Sequence, residues 1–160
     1  MFIIVRAIVY GTLFIGLVLI YVPAQLLSWS GIIRPATIEA PQIIGMIVGA
    51  IGALIALWCV FIFATIGKGT PAPFDLPHRL VLRGPYRFVR NPMYIGAGFA
   101  LAGAALFYES ILLLLYLCLF FLVTHLFVIW YEEPTLLRMF REEYEVYCRS
   151  VRRWLPSLTH

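Results

Sequence analysis

Four stretches of this chain, about residues 2–29, 42–66, 92–108 and 111–131, are almost unbroken runs of apolar side chains. They leave the polypeptide two choices: a buried core larger than 160 residues can wrap, or lipid. Composition decides between them. Hydrophobic residues make up 62% of the chain and charged residues 12%, with a mean hydropathy of +0.94, where a soluble domain carries roughly half and a quarter. A helix needs about 20 apolar residues to cross a bilayer; the third run falls a little short and the others reach it. The pattern predicts an all-α integral membrane protein, a single membrane domain over 1–160 with four transmembrane helices and a C-terminal amphipathic cytoplasmic helix.

The first run, after Arg6, is too long for a signal-peptide core and reads as a retained helix. Pro23 is placed to kink or end it, with Tyr21 and Trp29 as interfacial anchors. In the second run Gly45, Gly49, Ala53 and Ala56 follow small-xxx-small spacing, a face for close helix contact within a bundle or between copies. Residues 67–91 form a loop punctuated by Pro71, Pro73 and Pro77, which push their predecessors towards extended backbone. Glu109 and Ser110 make a tight turn, so the last two spans form an antiparallel hairpin. From 132 to 152 Leu136, Leu137, Phe140, Tyr144, Tyr147 and Val151 recur at helical spacing, opposite Arg138, Arg141, Glu142, Glu145, Arg149 and Arg152. That is one amphipathic helix, fit to lie on a membrane or cover a site, and Trp154-Leu155-Pro156 would press its tip back on the bundle.

The net charge of +4 sits beside the spans and not on a broad solvent face, which argues for lipid and against nucleic acid as a partner. Lys68, Arg79, Arg83, Arg87 and Arg90 share one loop, and Arg138, Arg141, Arg149, Arg152 and Arg153 share the tail; the other two connections hold only Arg34. Positive charge collects on the cytoplasmic side. Four spans then put the loop, the tail and both termini there, where the two charged segments can meet. Three cysteines, Cys59, Cys118 and Cys148, have neither disulfide nor zinc spacing. His78 and His160 carry no pattern, and His125, inside the fourth span, suits a bond to a neighbouring helix or a functional role. No metal cluster, serine triad or phosphate loop is present.

Two stretches carry chemistry. Arg83 to Gly98 holds Arg87, Arg90, Asn91-Pro92, Tyr94, Gly96 and Gly98 at the start of the third span. Pro92 fits a first helical turn and Asn91 an N-cap, and the free N–H groups there suit an anionic or zwitterionic ligand. Gly96-Ala97-Gly98 serves close helix packing, or leaves room for a flat ring. Glu132-Glu133, ahead of Pro134, are either acids favoured in the first turn of a new helix or carboxylates that hold a cationic ligand.

Gly84-Pro-Tyr-Arg-Phe-Val-Arg-Asn-Pro-Met-Tyr-Ile-Gly96 resembles the G-P-Y-x-x-x-R-[HN]-P-x-Y-x-G signature of the isoprenylcysteine carboxyl methyltransferase and phospholipid methyltransferase superfamily. Glu132 to Tyr147 is similar to its E-E-x-x-L-x-x-x-F-x-x-E-Y-x-x-Y block. The likeness covers about residues 67 to 156 and leaves the first two spans generic. It implies S-adenosylmethionine as cofactor, held without a Rossmann domain. Tyr86, Asn91, Pro92, Tyr94, Gly96 and Gly98 would form one wall with Arg90, and Glu132 and Glu133 the other. Arg90 and Glu133 are then the catalytic candidates, with a carboxylate of the Glu pair as base for an amine acceptor. The chain departs from the pattern twice. Asn91 stands where histidine is often found, and Ser150 replaces an arginine that carboxyl methyltransferases place near the acceptor, leaving Arg149 or Arg152 to substitute.

The resemblance therefore implies a membrane methyltransferase moving a methyl group from S-adenosylmethionine to a lipophilic or small acceptor, whether a prenylcysteine-like carboxylate, a phospholipid amine or a thiol. The alternative is a non-catalytic membrane protein that binds anionic lipid or a partner through its basic loop and tail. Oligomeric state is open on sequence.

Overall fold

The computed structural model describes residues 16–32, 35, 37–62, 65 and 80–156. Arg6, Arg34, Lys68, His78, Arg79, His160 and the three loop prolines lie outside the described residues. All regular structure among those described is helical. Helix α1, Gly16–Ser30, starts as a wide π turn over Gly16–Tyr21 and becomes α-helical at Val22–Ser30. Pro23, buried, marks that change of winding, since it has no N–H to give to the preceding turn. Helix α2 is Ala40–Ile62, α3 is Pro92–Phe107, α4 is Ile111–Phe127 and α5 is Glu133–Ser150, with a 3-10 turn at Gly84–Arg87 ahead of α3.

The central packing is α2 against α3, antiparallel, with almost no side chain between them. A Cβ at Gly103 would lie 2.4 Å from Gly49 N and 2.5 Å from Gly45 O, and one at Gly52 would lie 2.5 Å from Ala100 N and Gly96 O. Small residues let two backbones approach this closely. The seam on α2 is Gly45, Gly49, Gly52 and Ala56. The expected Ala53 is instead exposed, because at 100° per residue position 52 faces α3 and position 53 turns past it.

At the far end of this pair, Gln42 is 5% exposed. Its Nε2 donates to Glu109 Oε1 at 3.1 Å and its Oε1 accepts from Glu39 N. This ties the start of α2 to the α3–α4 turn, where Ser110 Oγ caps α4 by accepting from Leu113 N. Helix α1 leans on α4, and Tyr116 Oη donates to Val18 O at 3.0 Å, a carbonyl whose i+5 residue, Pro23, has no N–H to offer it.

The outward faces are apolar. Ile47, Ile51, Leu54, Leu57 and Phe61 on α2 and Leu115, Leu119, Leu122 and Val123 on α4 are all exposed. The two helical runs Ala40–Ile62 and Ile111–Ser150 are long and apolar enough to cross a membrane, and only 22% of the best window in each is buried. A core helix of a soluble domain would bury that surface. This one leaves most of it exposed.

The tail departs from the expected single helix over 132–152. Helix α5 breaks at Arg141, whose φ of 46° and ψ of −119° are not helical, and it ends at Ser150. Its halves close a cluster of Leu136, Tyr144, Tyr147 and Val151 over Leu80, while Leu137 stays 41% exposed. Residues 151–156 run on as an irregular strap back over α3 and α4.

Candidate active site

The site forms where residues 80–91, the end of α4 and the strap converge. Gly84, at φ 62°, makes the turn that brings the chain under α2; a Cβ there would run into the Ile62 side chain. The 3-10 turn buries Tyr86 beside Cys59, Ile62 and Val81, and Tyr147 Oη donates to the Tyr86 carbonyl at 2.7 Å. Burial first, then neighbouring polar groups, pushes the Tyr86 phenol well above its ordinary value, so it stays a neutral donor.

Asn91 lies before α3 but does not cap it with its side chain. Its φ/ψ of −120°/53° turns the amide towards the strap, where Nδ2 donates to Arg153 O at 3.2 Å. The Arg90 backbone N–H likewise donates to Arg152 O at 2.9 Å. The residues before α3 are thus a dock for the strap. Pro92, fully buried, opens the helix.

Glu132 and Glu133 do not begin a new helix. Backbone angles remain helical from Phe127 through Glu133, by way of a π turn at Val128–Glu132. Pro134 withholds the N–H that an α turn would use, and a wider turn is one way to absorb that. With no free helix N-terminus at this point, the dipole reading of the two acids fails, and their partners are side chains. Tyr94 Oη donates to Glu132 Oε2 at 3.2 Å. Glu133 receives Arg153 Nε at 2.7 Å and Arg153 Nη2 at 2.8 Å, and Arg90 Nη1 lies 3.1 Å from its Oε1. The Glu133 and Arg90 side chains are 18% and 14% exposed.

The two carboxyls therefore behave differently. Glu133 balances two guanidinium groups. Among the described residues Glu132 has no cation of its own: burial pushes its carboxyl up to about 7, and the Tyr94 hydroxyl offsets only part of this. One further polar atom is unmatched. Arg90 Nε is buried with no hydrogen-bond partner among the described residues, although Arg90 Nη1 also reaches Cys148 Sγ at 2.8 Å. A buried guanidinium N–H without an acceptor is uncommon and calls for a partner.

That cavity is lined by Tyr86, Arg90, Asn91, Glu132, Glu133 and Tyr144, among others, and measures about 40 Å³. Pro92, Tyr94, Gly96 and Gly98 do not line it. Gly96 belongs to the α2 seam, its Cβ direction blocked by Gly52 O and Ala56 N, and Gly98 faces the Phe121 ring. Close packing, not an open platform for a ring, accounts for both. Arg83 and Arg87 are exposed. Of the two arginines expected to stand in for position 150, Arg149 points away with an 82% exposed side chain, and Arg152 meets the site through its carbonyl. The tail guanidinium that joins Arg90 at Glu133 is Arg153, whose pairing with Glu133 raises its pKa further. Sequence reasoning passed over Arg153 and Trp154 as site residues; the signal available was Arg-Arg-Trp just beyond the amphipathic repeat.

Residues 40–143 match the phospholipid methyltransferase family. The chain belongs to that family. The match takes in α2, both carboxylates and the turn before α3, reaching further towards the N-terminus than the two motif blocks, and it stops short of the strap that supplies Arg153. No curated protein and no solved structure gives a significant match. Membership makes this a membrane protein of a methyltransferase family, and the converging side chains lie within or against the matched segment.

Proposed function

We propose that the chain is an S-adenosylmethionine-dependent methyltransferase that modifies a lipophilic or small acceptor at the membrane surface. The observation that carries this reading is the pair Glu132 and Glu133, set into the continuous helix leaving α4 and facing Arg90, Tyr94 and Arg153 where no helix terminus calls for acids.

The residues suit that cofactor in kind. Arg90 Nε, unmatched among the described residues, suits a carboxylate oxygen, and Glu132, with no cation among them, suits a sulfonium or amine. When bound, the cofactor supplies a methyl group on a positively charged sulfur, ready for displacement. The chain's own task is then to align donor and acceptor and exclude water. An amine acceptor must also lose a proton. Glu132, with its carboxyl raised to about 7, is the group fitted to accept one near neutral pH, whereas Glu133, held by two guanidiniums, is better fitted to fix Arg90 and Arg153 in place. Pockets for ligands of this size run to roughly 300 Å³ or more, so α5 must move away from residues 80–91 to widen this cavity of about 40 Å³ for binding.

Four spans, with residues 80–91 and the tail on the cytoplasmic face, complete the reading. The exposed apolar residues Leu137, Met139 and Val146 on α5 fit a helix that rests on the bilayer surface.

The test is calorimetric titration of S-adenosylhomocysteine into the detergent-solubilised protein, with Glu132→Gln and Glu133→Gln alongside. Saturable binding in the micromolar range, about −8 kcal/mol, that is lost in Glu133→Gln is the expected result. No heat with the folded wild type overturns the reading and leaves lipid binding by the basic loop and tail to be measured instead.

A further inference from the structure

The strap that carries Arg153 is held from an unexpected direction. Trp154, the next residue, turns its ring away from Glu133 and into the end of the α3–α4 pair. Its centroid lies 6.5 Å from Tyr94, 6.2 Å from Phe121 and 6.0 Å from His125. Its indole Nε1–H donates to His125 Nδ1 at 2.9 Å. Nδ1 is then the acceptor, and the ring proton sits on Nε2. His125 belongs to α4, two turns before Glu132, and makes no direct contact with either carboxylate. His125 is a polar acceptor on a largely apolar helix, and its bond ends on the residue beside the clamp.

We infer that His125 and Trp154 are positioning residues for the proposed methyl-donor site: the His125–Trp154 bond fixes the strap so that Arg153 meets Glu133 from one side while Arg90 meets it from the other. The geometry gives the bond leverage. Arg152 O, Arg153 O and the Arg153 guanidinium, all within two residues of Trp154, are tied to Arg90 N, Asn91 Nδ2 and Glu133. Release of one anchored end loosens all three ties together. The same bond runs from α4 to the residue next to Arg153, so it links the body of the helical bundle to the site. The inference rests on the proposed function for its consequence in binding, but not for the mechanical link.

Hydrogen exchange at the Arg90 amide reads the link in the whole, ligand-free protein, because that N–H is bonded to the strap carbonyl of Arg152. His125→Leu and Trp154→Phe, which keeps a ring but has no N–H, should each speed this exchange about fivefold to tenfold, the worth of one partly buried hydrogen bond. S-adenosylhomocysteine affinity should fall by a similar factor. His125→Asn, which retains an acceptor, should restore most of both, and Trp130→Phe, at a 75% exposed residue, should change neither. Unchanged exchange and affinity in His125→Leu and Trp154→Phe overturn the inference, as does His125→Asn behaving like His125→Leu. If the wild type binds no S-adenosylhomocysteine the methyl-donor reading fails, and the exchange result alone decides whether His125 holds the strap.

Discussion

Arg153 and Glu133 meet as a fork: Nε lies 2.7 Å from Oε1 and Nη2 2.8 Å from Oε2. The pair joins the strap of residues 151–156 to the helix leaving α4. A lysine keeps the charge but cannot make two parallel N–H bonds. Arg153→Lys is expected to cost about 1 kcal/mol of stability, a figure lowered because the Arg153 side chain is 31% exposed. Arg149→Ala, four residues earlier and only 4.0 Å from Glu145 on the open surface, should be neutral. Thermal unfolding of both variants in detergent checks the contrast, and equal effects would remove Arg153 from the site.

Glu132 ties stability to pH in an unusual direction. Its carboxyl is raised from 4.5 to about 7 in the folded protein, so between those values the folded state holds a proton that the unfolded state has released. Stability is therefore greatest below 4.5 for this group and falls as pH rises to about 7, by up to about 3 kcal/mol. Glu132→Gln should remove that slope and raise the melting temperature at pH 8. It should also weaken any cationic ligand, whose affinity for the wild type should climb as pH rises through 7. Melting curves from pH 5 to 8 for both proteins decide this; parallel curves would mean that Glu132 is ionised throughout.

Much of this architecture is legible in the residues. The apolar runs announce helices, Asn91-Pro92 announces the start of α3, and Glu109-Ser110 announces the turn into α4. What the sequence hides is set by geometry across the chain. Position 52 and not 53 faces α3 because a seam along a helix advances by four and then three residues, and a strict four-residue repeat drifts off it. Glu132-Glu133-Pro134 looks like a helix start, since acids and proline both favour one, yet the π turn carries the helix through. Arg153 was obscured by its neighbours: five arginines crowd the tail, and only the turn of the chain after Ser150 decides which of them meets the carboxylate pair.

The α2–α3 seam should be intolerant at one glycine and tolerant at its neighbour. A methyl group at Gly103 would press on Gly49 N and Cα and on Gly45 O, all backbone and all within 2.6 Å. At Gly49 the nearest atoms across the seam are 3.8 and 4.0 Å away, ordinary contact. Gly103→Ala is expected to force the helices apart at a cost of about 2 to 3 kcal/mol, whereas Gly49→Ala should stay within about 0.5 kcal/mol of wild type. Stability measured by graded denaturation in mixed micelles separates the two, and a tolerated Gly103→Ala would mean that α2 and α3 are not in backbone contact.

Arg141 offers the opposite case, a position in the tail where glycine should help. Its φ of 46° with ψ of −119° is a conformation that a side chain disfavours by about 1 to 3 kcal/mol and glycine adopts freely. The break is needed, because it lets Tyr144 and Tyr147 turn inward beside Leu136 while the first half of α5 keeps its own course from Glu133. Arg141 itself is exposed, so little packing is lost with its side chain. Arg141→Gly should therefore raise the melting temperature by a few degrees, against the usual rule that glycine weakens a helix. Arg141→Ala, the better helix former, should gain nothing, since it keeps the strained Cβ. If alanine stabilises and glycine does not, α5 runs straight through this residue and the inward turn of Tyr144 has to be explained another way.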